Sequence, residues 1–244
     1  AIQMSELLFS KDNKKIKETL SYQDGKDDFF LVEGFHMVEM ALENASAVRI
    51  FSLKEYPHGD VEFYLTNEAI IKRLSSSKTP EGIVALCKKK KEEKPFSDVI
   101  VYLDELQDPG NVGTILRTCL AFGYQDVFLS KGCASAYSSK TLSSSQGAIF
   151  KLNIKEGNLS PEEDIISLKE KGYKILATDL KSSYPLKELN IEKPYALILG
   201  NEGRGVNPKI LSLADKKVRI EMDGIDSLNV GVAAGILLYE LKKK

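Results

Sequence analysis

Apolar residues occur along this chain in short blocks separated by charged or glycine-rich breaks, and their spacing switches between two periods. Blocks with period near 3.6 read as helices, and compact apolar runs of four or five residues read as strands buried on both faces. In the first third, Lys11 to Leu20 reads as a helix, Phe29 to Val32 as a strand ending at Glu33-Gly34, and His36 to Leu42 as a helix. Val48 to Leu53 and Glu62 to Leu65 read as strands. Thr66 is expected to cap a helix through Leu74, with Glu68 in its first turn, and Ile83 to Leu86 closes the group. The run from Lys88 to Pro95 has no apolar anchor and ends in proline, so it reads as a linker.

Beyond that run the alternation strengthens. Val99 to Leu103 is a near-continuous apolar strand, and Asn111 to Phe122 is a helix with Ile115, Leu116, Cys119 and Leu120 on its apolar stripe. Val127 to Leu129, Lys174 to Thr178, Ala196 to Leu199 and Val218 to Met222 read as further strands. Ser138 to Ser144, Pro161 to Lys171, Asn207 to Leu213 and Ser227 to Leu241 read as helices; the second has acidic residues early and lysines late, matching its dipole. Strands alternating with helices imply α/β architecture, here a parallel sheet covered on both faces, preceded by a smaller α/β unit. The expected division is residues 1–90, a linker at 91–98, and residues 99–244. In such sheets ligands gather at the carboxyl ends of strands.

Three loops at those ends carry the candidate chemistry. The first, Asp104 to Gly113, turns at Pro109-Gly110, offers Asp108 or Asn111 as a helix cap, and leads to Arg117 on the following helix. Asn111 and Arg117 are six residues apart, so a regular helix does not stack them. The second, Leu199 to Gly205 (LGNEGRG), has three glycines that let backbones approach closely, with the carboxylate Glu202 among them. It is neither a GxGxxG dinucleotide fingerprint nor a phosphate loop. The third places a polar Ser227-Leu228-Asn229 triplet where a strand hands over to the closing helix. Ser227 is expected as N-cap and Asn229 in the first turn, and Gly231 and Gly235 permit close packing on one face. For Asn111, Glu202 and Ser227, plain turn-making or capping remains the competing explanation.

Composition narrows the field. An apolar fraction of 43% over 244 residues supports a sizeable core, and 34 basic against 35 acidic residues give a net charge of −1. No global basic field exists, so a nucleic-acid partner has to be held by local patches. Two lysine clusters, Lys88 to Lys91 and Lys242 to Lys244, read equally as solvated faces. No run of about 18 apolar residues predicts a membrane span. Three separated cysteines without a CxxC pair fit reduced thiols and a cytoplasmic location, and two histidines argue against a zinc site, so no metal is expected. Ala1 to Gln3 read as an appendage before a natural start at Met4, with no secretory signal following.

The segments Asn111 to Gly123 (NVGTILRTCLAFG), Leu199 to Gly205, Ile220 to Met222 (IEM) and Ser227 to Val230 (SLNV) resemble, in order and spacing, the three motifs of the SpoU (TrmH-like) RNA 2′-O-ribose methyltransferases of the SPOUT superfamily. The resemblance runs over residues 99–244. FLVEG at Phe30 to Gly34 and KTPEGI at Lys78 to Ile83 echo that family's L30e-like substrate-binding domain. The resemblance implies a C-terminal trefoil knot, S-adenosyl-L-methionine as cofactor, ribosomal RNA as the expected partner, and a homodimer assembled through the closing helix with Ile236, Leu237, Leu238 and Leu241. It implies cofactor contacts at Thr178, Gly200, Ile220, Met222 and Leu228. It assigns Arg117 to the ribose hydroxyl, supported by Asn111, Glu202, Ser227 and Asn229, with Glu202 pairing Arg117 or Arg204. Two positions depart from the family pattern: Glu221, where proline is usual, and Gly231, where serine is common. Lys14, Lys15, Lys17, Arg73 and Lys78 are candidate RNA contacts of the first unit. A non-catalytic RNA-binding or ribosome-assembly factor on the same scaffold is the alternative; a nucleotide-binding α/β enzyme lacks its phosphate-loop fingerprint.

Overall fold

The computed structural model describes residues 5–90, 94–181 and 183–244. The chain forms two compact units, residues 1–92 with 137–142, and residues 93–136 with 143–244. The start at Met4, and residues 91–93 of the expected linker, lie outside the described residues.

The first unit contains β1 (Glu6–Leu7), α1 (Lys14–Leu20), β2 (Phe29–Glu33), α2 (Phe35–Glu43), β3 (Ala47–Ser52), β4 (Glu62–Leu65), α3 (Glu68–Leu74) and β5 (Ile83–Lys88). Its sheet runs β1-β4-β3-β5-β2, with β5 antiparallel to both neighbours and the other pairs parallel. Ile16, Ile70, Ile71 and Leu74 of the helices pack on Phe51, Tyr64 and Val84 of the sheet. The α3 cap is Asn67, whose Oδ1 accepts the Ile70 amide at 3.0 Å, and not Thr66. Thr66 is drawn instead into backbone pairing, its amide donating to the Ser52 carbonyl at 2.9 Å. Lys88 ends β5, and the Lys89 amide donates to the Asp28 carbonyl at 2.7 Å, so the charged run begins as structure and not as linker. Tyr137, from far along the sequence, completes this unit: its ring lies 4.9 Å from Phe30, and Lys89 Nζ sits 4.4 Å from its centroid. Gly25 is required beneath it, since an ideal Cβ there would fall 2.4 Å from the Tyr137 Cβ and φ is +82°.

The second unit contains β6 (Val99–Leu103), α4 (Pro109–Ala121), β7 (Asp126–Leu129), β8 (Asn153–Glu156), α6 (Pro161–Glu170), β9 (Lys174–Thr178), β10 (Tyr184–Pro185), β11 (Tyr195–Leu199), α7 (Pro208–Leu213), β12 (Lys216–Arg219) and α8 (Val230–Lys242); α5 (Ser139–Ser145) falls between β7 and β8 in the sequence. All seven strands are parallel, in the order β10-β12-β9-β11-β6-β7-β8. Successive side chains of a strand face opposite ways. Ile100 and Tyr102 accordingly join Ile165, Leu168, Ile175, Ile198 and Ile210 in one core layer with α6 and α7. Val101 and Leu103 are equally buried on the alternate register, as are Ile115, Leu116 and Cys119 of α4 and Leu237, Leu238 and Leu241 of α8. Helices α4 and α8 pack on each other, with the Tyr124 hydroxyl donating to the Leu238 carbonyl at 2.7 Å.

Of the boundaries that shift from the sequence expectation, three bear on the site. Helix α4 begins at Pro109, because Asp108 takes the cap and proline suits a first helical position. Strand β12 stops at Arg219, before Ile220 to Met222, because its neighbour β10 is two residues long and pairing ends there. Helix α8 begins at Val230, so Asn229 and not Ser227 is its cap. The edge strands β8 and β10 lack an apolar run and were not legible as strands.

Candidate active site

The strand order makes neighbours of the carboxyl ends of β12, β9, β11 and β6, with adjacent strands about 4.8 Å apart. The loops after β6, β11 and β12 are the three singled out in the sequence. The structure ties them together through side chains.

The first tie runs between the first and third loops. Asn229 has non-helical torsions, and its Oδ1 accepts the amides of Gly231 at 2.8 Å and Val232 at 3.2 Å. Its Nδ2 donates to Asn111 Oδ1 at 3.1 Å. Asn111 sits in the first turn of α4, its amide capped by Asp108 Oδ1 at 2.9 Å. Gly231 lies close under this contact: an ideal Cβ there would lie 3.1 Å from Asn229 Oδ1 and 3.3 Å from Thr114 Cγ2, tight spacings that the glycine avoids.

The second tie joins the first and second loops. Glu202 accepts the Asp108 amide on Oε1 at 3.1 Å and the Gln107 amide on Oε2 at 3.4 Å. Among the described residues it pairs with neither Arg117 nor Arg204, unlike the expectation; its carboxylate faces two backbone donors at a helix entrance instead. Asn201 Nδ2 donates to the Glu105 carbonyl at 2.6 Å, while its Oδ1 accepts the Gly203 amide at 2.9 Å. Asn201 and Gly205 also form a backbone bridge. Gly200 is needed for this fold-back, since a Cβ would fall 2.2 Å from the Val206 nitrogen. Arg204 reaches Glu105 Oε2 at 2.5 Å and Asp104 Oδ2 at 3.5 Å. Burial raises the Asp104 carboxyl above the usual aspartate range, against the pull of the Asn207 amide and Arg204.

Arg117 and Ser227 stand outside these ties. Both are exposed, and among the described residues Arg117 makes no hydrogen bond or ion pair. The cofactor residues lie where the loop order puts them. Thr178 ends β9 and its hydroxyl donates to the Ile198 carbonyl at 3.2 Å, beside buried Gly200 at the end of β11. Ile220, Met222 and Leu228 belong to the loop after β12. Among the described residues, positions 220–228 make no backbone–backbone hydrogen bond, although Ile220 and Met222 are half-buried. Unpaired backbone donors and acceptors beside apolar side chains suit a flat heteroaromatic ring, gripped by its edge and covered on its faces. S-adenosylmethionine has such a ring, so the residues present fit it. Glu221 is exposed.

The sequence did not single out Asp104, Glu105 or Asn201, and it offered Arg204 only as a partner of Glu202. The available signal was an aspartate directly following a strand buried on both faces, a place where charge is costly unless paired.

Comparison with known proteins agrees with this geometry. The model of the SpoU rRNA Methylase family matches residues 98–239, which span all three loops. The 23S rRNA (guanosine(2553)-2′-O)-methyltransferase RlmP of Bacillus subtilis is 34% identical, over 96% of this chain and 98% of its own length. Two solved structures have TM-scores of 0.83: a putative RNA methyltransferase of the TrmH family from Porphyromonas gingivalis, 27% identical over 96% of this chain and 99% of that one, and an AdoMet-bound rRNA methyltransferase from Sinorhizobium meliloti, 25% identical over 98% of each. Through the matched motifs, the loops that join them and the sheet that carries them, the chain belongs to the SpoU rRNA methylase family.

Proposed function

We propose that this chain methylates the 2′-hydroxyl of a ribose in ribosomal RNA, using S-adenosylmethionine. The observation that carries the proposal is the joining of the three motif loops, which follow β6, β11 and β12, through Asn229–Asn111 and through Glu202 on the amides of Gln107 and Asp108. The 23S rRNA methyltransferase activity named for the Bacillus relative, similar over nearly the whole of both chains, supports the same substrate class.

When bound, S-adenosylmethionine supplies a methyl group already activated on a sulfonium. The chain has to orient the acceptor and accommodate the hydroxyl proton. Gly200, Ile220, Met222 and Leu228 hold the cofactor by backbone groups, with Thr178 fixing the neighbouring strand end. Arg117, exposed and unpaired among the described residues, engages the ribose hydroxyl and its adjoining phosphate as a cation, and the hydroxyl proton, released as the oxygen takes the methyl, passes to the solvent that reaches this exposed side chain. Asn111 and Asn229 fix the entrance of the helix bearing Arg117, and Glu202 fixes the loop before it. Ser227, exposed and released from capping, faces the substrate side.

The wider organisation follows the same reading. Strand order supports a trefoil knot: the chain leaves β9 for the edge strand β10, returns to β11 beyond β9, and then sets β12 between β10 and β9. Val232, Ile236 and Tyr239 form an exposed apolar stripe on α8, at 53% and 49% exposure for Val232 and Tyr239, and we assign it to a homodimer interface. Leu237, Leu238 and Leu241, expected at that interface, are core residues instead. The first unit, of L30e-like type and bounded near residue 90, binds RNA. Lys14, Lys17 and Lys78 are exposed for this purpose, whereas Lys15 is engaged by Glu62 and Arg73 by the Lys11 carbonyl. A cytoplasmic location is consistent with this substrate and with the buried thiols of Cys87 and Cys119.

Calorimetry with S-adenosylmethionine tests the proposal. Saturable binding of one cofactor per chain is expected, and no heat of binding at millimolar ligand overturns it.

A further inference from the structure

Asp104 directly follows β6 and has no solvent exposure, yet it touches the Gly200 loop at three points. Its amide donates to the Leu199 carbonyl at 2.9 Å, where that loop begins. Its Oδ2 lies 3.5 Å from Arg204 Nη1 in the middle of the loop, and accepts the Asn207 amide at 2.8 Å where the loop ends. The Arg204 guanidinium is held from its other side by Glu105, whose backbone takes the left-handed region at φ +52°. Glu105 is kept there by the Ser130 hydroxyl on its amide at 2.8 Å and by Asn201 on its carbonyl at 2.6 Å. A non-glycine residue in that region persists where its surroundings over-determine it.

The second Asp104 oxygen, Oδ1, is buried with no hydrogen-bond partner among the described residues. A carboxylate with one oxygen unsatisfied is a poor choice for stability at a strand end. Its other oxygen holds the Gly200 loop, at Arg204 and at the Asn207 amide. Resting on the methyltransferase reading above, we infer that Asp104, acting through Arg204 and the Asn207 amide, is a positioning residue that sets the Gly200 loop in its cofactor-binding shape.

The test compares wild type with Asp104→Asn, which preserves size and an acceptor for the Asn207 amide but removes the charge that grips Arg204. Arg204, 38% exposed, provides a second variant, Arg204→Gln, which keeps a donor for Asp104 and removes the charge from the partly exposed side of the pair. Both are measured by calorimetry with S-adenosylmethionine, by thermal melting, and by KM and kcat with saturating RNA. The inference expects the dissociation constant and the KM for S-adenosylmethionine to rise about tenfold in both variants, a loss of one charge-assisted contact. It expects the melting temperature to be unchanged or raised in Asp104→Asn, where a neutral amide replaces a buried charge, and kcat to be retained. Wild-type cofactor affinity in the variants, with or without a lower melting temperature, overturns the inference and leaves the methyltransferase reading standing. Wild-type protein that binds no cofactor overturns that reading and the inference with it. Should Asp104→Asn fail to fold, the Arg204→Gln result decides by the same criterion.

Discussion

Asn229 Nδ2 donates to Asn111 Oδ1 at 3.1 Å, across 118 residues of sequence, while Asn229 Oδ1 caps α8. One side chain thus starts the closing helix and fastens it to the helix bearing Arg117. The two roles separate by substitution. Asn229→Ala loses cap and link, and should cost about 1 kcal/mol of stability together with activity. Asn229→Ser keeps an oxygen for the Gly231 and Val232 amides but is too short to reach Asn111. Its melting temperature should stay near wild type while methyl transfer falls. Melting curves and transfer rates on the two variants check this.

Glu202 spends its carboxylate on two backbone amides. This predicts a graded response: Glu202→Ala releases the loop before α4 and should cost about a hundredfold in kcat, the scale of a misplacement near 1 Å. Glu202→Gln keeps one acceptor and should lose much less. If the two variants are equally inactive in single-turnover assays, Glu202 acts as a base and not as a clamp.

Much of this arrangement was legible beforehand, and the failures have physical causes. The buried strands β6, β9 and β11 and the stripe of α4 stand out because parallel strands covered on both faces are almost wholly apolar, and a helix against them repeats every three to four residues. The helix caps were harder. Ser227, Asn229, Thr66 and Asn67 are all competent cap residues, and tertiary contacts choose among them: Asn111 draws Asn229, and β3 draws Thr66 away. The Asp104–Arg204 contact joins residues 100 apart in sequence, so no local pattern announces it. Leu237 and Ile236 look alike as letters, but the helix phase buries one and leaves the other to solvent.

The α8 stripe makes a prediction about assembly. Ile236→Glu and Tyr239→Glu place charge where an apolar partner surface is expected, and leave the α8 core residues Leu237, Leu238 and Leu241 untouched. Sedimentation should give two chains for wild type and one for the variants, with far-ultraviolet dichroism unchanged. A monomeric wild type contradicts the interface.

In the first unit, Glu62 accepts from Lys15 and from Arg49 Nε at 3.2 Å. Burial works to raise its carboxyl, but Lys15, Tyr64 and Arg49 outweigh it and hold the group below the usual range. A carboxyl lowered on folding contributes stability above its unfolded value, near 4.5, and loses it as pH falls through the folded value. Partial exposure keeps the contribution at about 1 kcal/mol or less. Glu62→Gln should therefore melt lower than wild type at pH 7, and the gap should close as pH falls below 4.5. A gap independent of pH between 7 and 3 contradicts the assignment.

The most direct measurement of the central claim is transfer of labelled methyl from S-adenosylmethionine to unmodified ribosomal RNA, followed by alkaline hydrolysis. A methylated 2′-oxygen cannot attack the adjoining phosphodiester, so the modified position survives as an uncut step. Label and one such step are expected at a single position of ribosomal RNA, both lost in Arg117→Ala while that variant still binds the cofactor. Label on a base, label with no protected step, or no transfer by wild-type protein that binds the cofactor would contradict it.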